Sequence, residues 1–538
     1  MIGIARDGPL VLSLFGLAGC GAKADDAFKA FPVRDVAWTE VTKGAGLPAT
    51  GFQCLVFDDL DDDGRPDILL GTATPANSAP PILTAYRNRG DGAFEATPVT
   101  MPGEGLALSC DAADFTNDGI LDLVIGRAPR GVTLLRGLGG LAFEDASDLL
   151  PAFADQPGVF GAATAGFFDF DRDGWLDLYL GFSASLIADS CTATADDFTC
   201  TGQPRDWQPA RLLRNDAGAA FREMDAPPGD ASSLSINGAA FVDWDADGFQ
   251  DLFVSQDFAK NSLYRNDGGS GRFDDLAPAL GIDRYGHAMG AALGDFDRDG
   301  LWDLYIADAG PDQFYFGVED GTMIDRAAEI GVADWTRYHS GWSPVAGDLN
   351  LDGFLDLFVV NSALTFRLED LERVTTGMTI SAGQQADFTY VNDQGGGFGL
   401  GVVEHAAGSL ASVAGGAAAM ADYDGDGDLD LVEFYMAPPH FRLLRNDTQD
   451  AGHWLAVWLA GPGGRAAGAE VSVVVDGRNW ASAVAGVSGS PGKSWRALHF
   501  GLGAYDEVDA VSVRWGDGTE ERTDGPIAAD QALRIGEP

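Results

Sequence analysis

The sequence predicts an all-β protein built from one repeated unit, on three observations. An acidic stretch of the form D-x-D-x-D-G-x-x-D, with two conservative departures, occurs seven times at intervals of 52 to 74 residues. A short run rich in Leu, Ile, Val, Phe and Tyr follows each copy, and between turns that composition favours strand over helix. The 72 glycines have no collagen period and read as turn punctuation. At 538 residues the chain is also too long for one ordinary core, which suits a repeat architecture.

The copies begin at Asp59 (DLDDDGRPD), Asp114 (DFTNDGILD), Asp169 (DFDRDGWLD), Asp243 (DWDADGFQD), Asp295 (DFDRDGLWD), Asp348 (DLNLDGFLD) and Asp422 (DYDGDGDLD). A small-residue strand precedes each copy, as in NGAAFVD, and an apolar strand follows it. A third strand with a turn comes next (LYRNDGGSGRF), then a short closing segment (FDDLAPALGI). Four strands in roughly fifty residues make one propeller blade. The last copy lacks its closing strand, whereas WTEVTKGAGL, Trp38 to Leu47, matches those closing segments but precedes the first copy. The expectation is a seven-bladed β-propeller over residues 35–448, closed by the N-terminal strand so that no edge stays open. A small β-sandwich-like domain is expected over 449–538.

The aspartates have a chemical reading. Side chains at positions 1, 3 and 5 converge when the backbone curls, glycine at 6 permits the turn, and the carbonyl at 7 adds an oxygen. Hard oxygen donors in that pattern suit Ca²⁺. The candidate ligands, at positions 1, 3, 5 and 9, are Asp59, Asp61, Asp63 and Asp67 in the first copy and Asp114, Thr116, Asp118 and Asp122 in the second. The third offers Asp169, Asp171, Asp173 and Asp177, and the fourth Asp243, Asp245, Asp247 and Asp251. Asp295, Asp297, Asp299 and Asp303 follow, then Asp348, Asn350, Asp352 and Asp356, then Asp422, Asp424, Asp426 and Asp430. Position 12 carries Leu, Ile or Val except for Glu433, so these are calcium loops between strands rather than EF-hands. The competing reading is an Asp/Gly turn capped by its own side chains. Seven repetitions weigh against it, because packed carboxylates without a cation repel each other. Up to seven structural Ca²⁺ are expected.

Acidic residues outnumber basic ones 82 to 34, for a net charge of −48, which argues against a nucleic-acid partner or an anionic membrane surface. Seven divalent cations would offset part of that charge, although a solvated acidic surface explains it equally well. Residues 1–20 read as a signal peptide ending in Leu17-Ala18-Gly19-Cys20, which resembles the lipobox of bacterial lipoproteins, with Cys20 as the lipidated residue. Residues 21–34 read as a linker. A secreted or cell-surface location, lipid-anchored, is the expectation. Cys54, Cys110, Cys191 and Cys200 remain, an even number in an oxidising compartment. Cys54 with Cys110 and Cys191 with Cys200 are candidate disulfides, free thiols being the alternative.

The D-x-D-x-D-G-x-x-D loops with their L-D-L strands resemble the FG-GAP/VCBS repeats of integrin α-chain-like propellers. From His453 onward, His499 to Gly503 (HFGLG) and Val511 to Trp515 (VSVRW) resemble the ASPIC and UnbV domain. Together the two parts resemble the cartilage acidic protein family and its bacterial relatives. That resemblance implies a secreted or surface-attached calcium-binding propeller with a C-terminal β domain and no assigned reaction.

No G-x-S-x-G elbow, Walker loop, Rossmann fingerprint or H-x-x-x-H pair is present. Tyr285, His287, Arg337, His339 and Trp342 precede the fifth and sixth copies and form a speculative ligand site at the channel mouth, with strand-entry packing as the alternative. Arg89-Gly90-Asp91 falls on the turn shared by other repeats, and Asn446-Asp447-Thr448 is a weak glycosylation sequon. Two function classes follow. One is a non-catalytic surface protein binding protein or glycan partners. The other is a lectin or a carbohydrate-active enzyme of polysaccharide-lyase type.

Overall fold

The computed structural model describes residues 35–50, 52–71, 83–102, 106–128, 131–152, 159–184, 191–194, 197–200, 209–224, 235–337, 339–361, 386–403, 414–437, 439–484 and 497–536. Cys20 and the leader lie outside the described residues. The fold is all-β, with only short helical turns such as Ala277–Leu280 and Val332–Thr336. Among the described residues no helix is long and apolar enough to cross a membrane.

Six antiparallel four-stranded repeats follow the first six copies in order. The first pairs Phe52–Asp58, Asp67–Gly71, Leu83–Asn88 and Phe94–Val99, with the acidic loop between its first two strands. Backbone pairs also join the end of a second strand to the first strand of the following repeat, at Ser183 with Ser235 and at Asp257 with His287. The seventh repeat supplies only Ala414–Ala421, Asp430–Ala437 and Pro439–Asn446. Its fourth strand is Trp38–Glu40, with Trp38 opposite Asn446 and Glu40 opposite Leu444. First strands of successive repeats pack side by side, and that of the seventh packs against that of the first.

Second strands such as Asp67–Gly71 are buried along their whole length, which explains why they read as unbroken apolar runs rather than alternating ones. The core is divided among the interfaces between repeats. Phe115, Phe167 and Phe221 meet between the second and third, and Phe168 stacks on Phe241 at 4.3 Å between the third and fourth. Phe57 and Tyr86 of the first repeat pack with Phe434 and Phe441 of the seventh. Each fully buried Phe contributes roughly 1.5–3 kcal/mol.

A disulfide joins Cys54 to Cys110, crossing between the first strands of the first two repeats. Cys191 stands opposite Cys200 across a short hairpin inserted in the third repeat. The C-terminal segment forms a three-stranded sheet (His453–Leu459, Ala497–Gly503, Gln531–Ile535) and a four-stranded one (Glu470–Val475, Arg478–Val484, Glu507–Arg514, Glu520–Ala528). Their alternating inward residues, among them Leu455, Val457, Val471, Val473, Phe500 and Trp515, share one core.

Candidate metal centres

All seven loops adopt one backbone. Position 4 is left-handed, with φ between 56° and 60° at Asp62, Asn117, Arg172, Ala246, Arg298 and Leu351 and 77° at Gly425. The glycine at position 6 has φ between 83° and 98°, which explains why no side chain stands there. The position 1 carboxylate caps this curl. Asp59 accepts from the Asp63 and Gly64 amides at 3.0 and 2.8 Å, and Asp295 from the Asp299 and Gly300 amides at 3.0 and 2.9 Å. The self-capping turn and the convergent cluster therefore coexist, since each carboxylate oxygen keeps a second lone pair.

Position 9 does more than the sequence reading assigned to it. Asp177 accepts from the Phe170 amide of its own loop and from the Asn215 amide of the third strand, at 3.1 and 2.8 Å. Asp251, Asp303, Asp356 and Asp430 make the same two-sided brace. In the first loop Asp67 accepts from the Asn88 amide, while its Oδ2 is buried with no hydrogen-bond partner.

Five loops bring three carboxylates together with oxygens within 4.8 Å of one another. The groups are Asp59/Asp61/Asp67, Asp169/Asp171/Asp177, Asp243/Asp245/Asp251, Asp295/Asp297/Asp299 and Asp422/Asp424/Asp430. The second and sixth loops form no such group, because Thr116 and Asn350 replace the carboxylate at position 3. The Thr116 hydroxyl instead donates to Asp114 at 3.3 Å. Four of the five groups do not include the position 5 carboxylate. Asp63, Asp173 and Asp247 face an arginine from the third strand, which also holds position 3: Arg87 on Asp61, Arg214 on Asp171 and Arg265 on Asp245, at 2.6–2.7 Å. Glu433, the exceptional position 12 residue, faces away from its loop and is buried against Arg442.

Burial, followed by repulsion from neighbouring carboxylates, raises these acids. Asp59, Asp243 and Asp422 are pushed up to about 6, Asp169 and Asp295 to about 7, and Asp67 and Asp303 to about 8. Asp177, Asp251, Asp356 and Asp430 lie well above the ordinary carboxylate range. A divalent cation in the loop opposes both causes. The donors present, clustered carboxylate oxygens, fit Ca²⁺.

The sequence reading missed the asparagine that ends the third strand of five repeats. Asn215 donates through Nδ2 to the Leu176 carbonyl of its own repeat and to the Phe115 carbonyl of the repeat before, both at 3.0 Å. Asn266, Asn392 and Asn446 do the same toward Phe170, Phe296 and Leu349. Asn88 of the first repeat reaches Tyr423 of the seventh at 2.7 Å. The signal was the recurrence of Asn at the end of the third strand, just before its turn. Asn446 is thereby fully buried, which removes it as a glycosylation site. Arg89-Gly90-Asp91 is a hairpin turn in which the Gly90 amide donates to Asn88.

Tyr285, His287, Arg337 and His339 of the candidate ligand site take partners of their own, and the His287 and His339 carbonyls accept from the neighbouring Ala309 and Gly310 amides. Tyr285 and His287 lie edge to face, 6.5 Å apart, and His287 Nδ1 is 2.8 Å from Asp257. His339 instead packs on Phe388, with Nδ1 toward the Trp335 carbonyl. Arg337 turns to Asp334 one helical turn back. Trp342 Nε1 is buried without a hydrogen-bond partner among the described residues.

The repeats and the C-terminal sheets define a class: tandem acidic-loop β repeats followed by a separate β domain. The FG-GAP-like repeat model matches residues 59–125, 114–180, 243–306 and 295–359, and the ASPIC and UnbV model matches 461–538. The chain is an FG-GAP-like repeat protein with a C-terminal ASPIC and UnbV domain. It is similar to cartilage acidic protein 1 of Mus musculus, 27% identical over 307 residues, which are 56% of this chain and 44% of that protein. To the Homo sapiens protein it is 28% identical over 276 residues, 50% of this chain and 39% of that one, so it spans less than half of either relative. Among solved structures it is similar to an Agrocybe aegerita lectin (18% identity, TM-score 0.40, 68% of this chain and 83% of that one). It is also similar to the BP39L lectin of Burkholderia pseudomallei (11%, TM-score 0.41, 73% and 99%).

Proposed function

We propose that the chain is a seven-bladed propeller closed by its N-terminal strand, whose acidic loops hold structural Ca²⁺. It acts outside the cell as a non-catalytic binding protein for a protein or glycan partner, anchored through a lipid on Cys20. The pairing of residues 38–40 with 444–446 and the return of the seventh first strand to the first support the closed ring. One observation carries the calcium reading: a buried Asp67 Oδ2 without a hydrogen-bond partner among the described residues, in a group with Asp59 and Asp61 oxygens within 4.8 Å. A stranded carboxylate oxygen of that kind is costly unless a cation completes it.

Titration calorimetry of Ca²⁺ into chelator-stripped protein, paired with thermal melts, tests this reading. Uptake of at least five ions is expected, each adding about 1.4 kcal/mol at ten times its dissociation constant. A melt that chelator leaves unchanged overturns it.

A further inference from the structure

The C-terminal domain rests on the acidic loops themselves. Arg298, at position 4 of the fifth loop, lies over the Trp480 ring at 4.3 Å and donates to the Trp480 carbonyl. Arg172, at position 4 of the third, donates to the Gly516 carbonyl at 3.1 Å, and Asp62 of the first pairs with Arg534 at 3.6 Å. In the sixth, the Leu351 carbonyl accepts from the Gly503 amide at 2.8 Å. In the seventh, the Gly427 carbonyl faces His499 Nε2 at 2.8 Å. Against the second, a Cβ on Gly463 would run into the Asp114 carbonyl. In the fourth, Arg514 reaches Asp243 Oδ2 at 3.4 Å, while Asp243 Oδ1 is buried without a hydrogen-bond partner among the described residues.

The HFGLG segment shows why these contacts are close. His499, Gly501 and Gly503 alternate on one face of their strand and meet the loops, while Phe500 and Leu502 point into the domain core. A Cβ on Gly501 would collide with the Asp348 carboxylate, a candidate ligand. Burial lowers His499 to about 4, so it meets the Gly427 carbonyl as a neutral Nε2–H donor.

We propose that cation occupancy of the loops controls the seating of the C-terminal domain. The contacts come from position 4 side chains and from loop carbonyls, and the curl of each loop sets where both point. Without a cation, clustered carboxylates push the curl open and withdraw the seat. With one, Asp243 serves both sides at once, Oδ1 toward the ion and Oδ2 toward Arg514. This inference rests on the calcium reading and adds a regulated domain contact to it.

Hydrogen-exchange mass spectrometry on the full-length protein, with Ca²⁺ or with EGTA, tests the proposal beside a calcium titration. On stripping, exchange in 478–484 and 497–503 is expected to rise about tenfold or more, while 471–475, inside the domain core, stays protected. Arg298→Met, which removes the contact over Trp480, is expected to raise exchange in 478–484. Asp297→Asn is expected to lose one ion and to raise exchange in the same strand. Calcium uptake without these exchange changes overturns the coupling and leaves the calcium reading standing. Failure to take up calcium overturns both.

Discussion

The seam between the second and third repeats and the seam between the first and second close the same gap with different bonds. At the former, the Asn215 amide ties two buried backbone carbonyls together across the boundary. At the latter, Gly137 stands where that asparagine would be, and a Cβ there would run into the Leu121 carbonyl. No asparagine staple stands there, and the Cys54–Cys110 disulfide crosses this seam. The pattern recurs between the fourth and fifth repeats. Gly317 replaces the asparagine, crowded by the Trp302 carbonyl, and the His287–Asp257 contact with a short ladder of backbone pairs crosses the boundary. Among the described seams five thus use the asparagine, and each of the two departures carries its own substitute.

Four measurements sharpen that contrast. The largest effect is common to every seam, because each repeat brings an acidic loop. In ion-free protein, acids raised from 3.8 to about 6–8 make the folded chain bind more protons than the unfolded chain between about pH 4 and 8. Stability should therefore fall as pH rises through that window, and saturating Ca²⁺ should flatten the slope in thermal melts. Next, replacing both Cys54 and Cys110 by Ser opens a link of 56 residues and should cost about 4 kcal/mol in urea unfolding, on the chain-entropy model. Asn215→Ala should cost about 2–3 kcal/mol, since it strands the Phe115 and Leu176 carbonyls. An equal loss from Asn215→Ala with the disulfide reduced or intact would show that the two seams act independently.

The smallest effect belongs to His287. Burial lowers its pKa, but the Asp257 bond and the charges of Asp257 and Asp308 outweigh it, so the net shift is upward. Its contribution is therefore complete below the unfolded value of 6.5 and is lost as pH rises through the folded one. The stability difference between wild type and His287→Gln should shrink as pH rises from 6 to 9. A difference that holds constant with pH would reduce His287–Asp257 to an uncharged packing contact.

Much of this was legible in one dimension. Aspartates two residues apart around a fixed glycine mark a curled loop, because the spacing alone decides which side chains share a face. The orphaned strand Trp38–Glu40 could be assigned to the last repeat because its sequence matched the missing piece. The brace made by position 9 was not legible: Asp177 looks like one more ligand until the Asn215 amide arrives from the third strand. Nor was the role of Arg87, Arg214 and Arg265, whose loop partners lie some twenty to forty residues earlier.

From sequence alone came the repeat, its period, its strand content and the concentration of carboxylates, since all four are local or periodic properties. Tertiary structure decided which carboxylates meet, which amides occupy them, and that the C-terminal domain sits on the loops through an alternating strand of His499, Gly501 and Gly503. The reason is physical. Distance along the chain fixes what a residue can do with its near neighbours, whereas burial and charge depend on segments that only packing brings into reach.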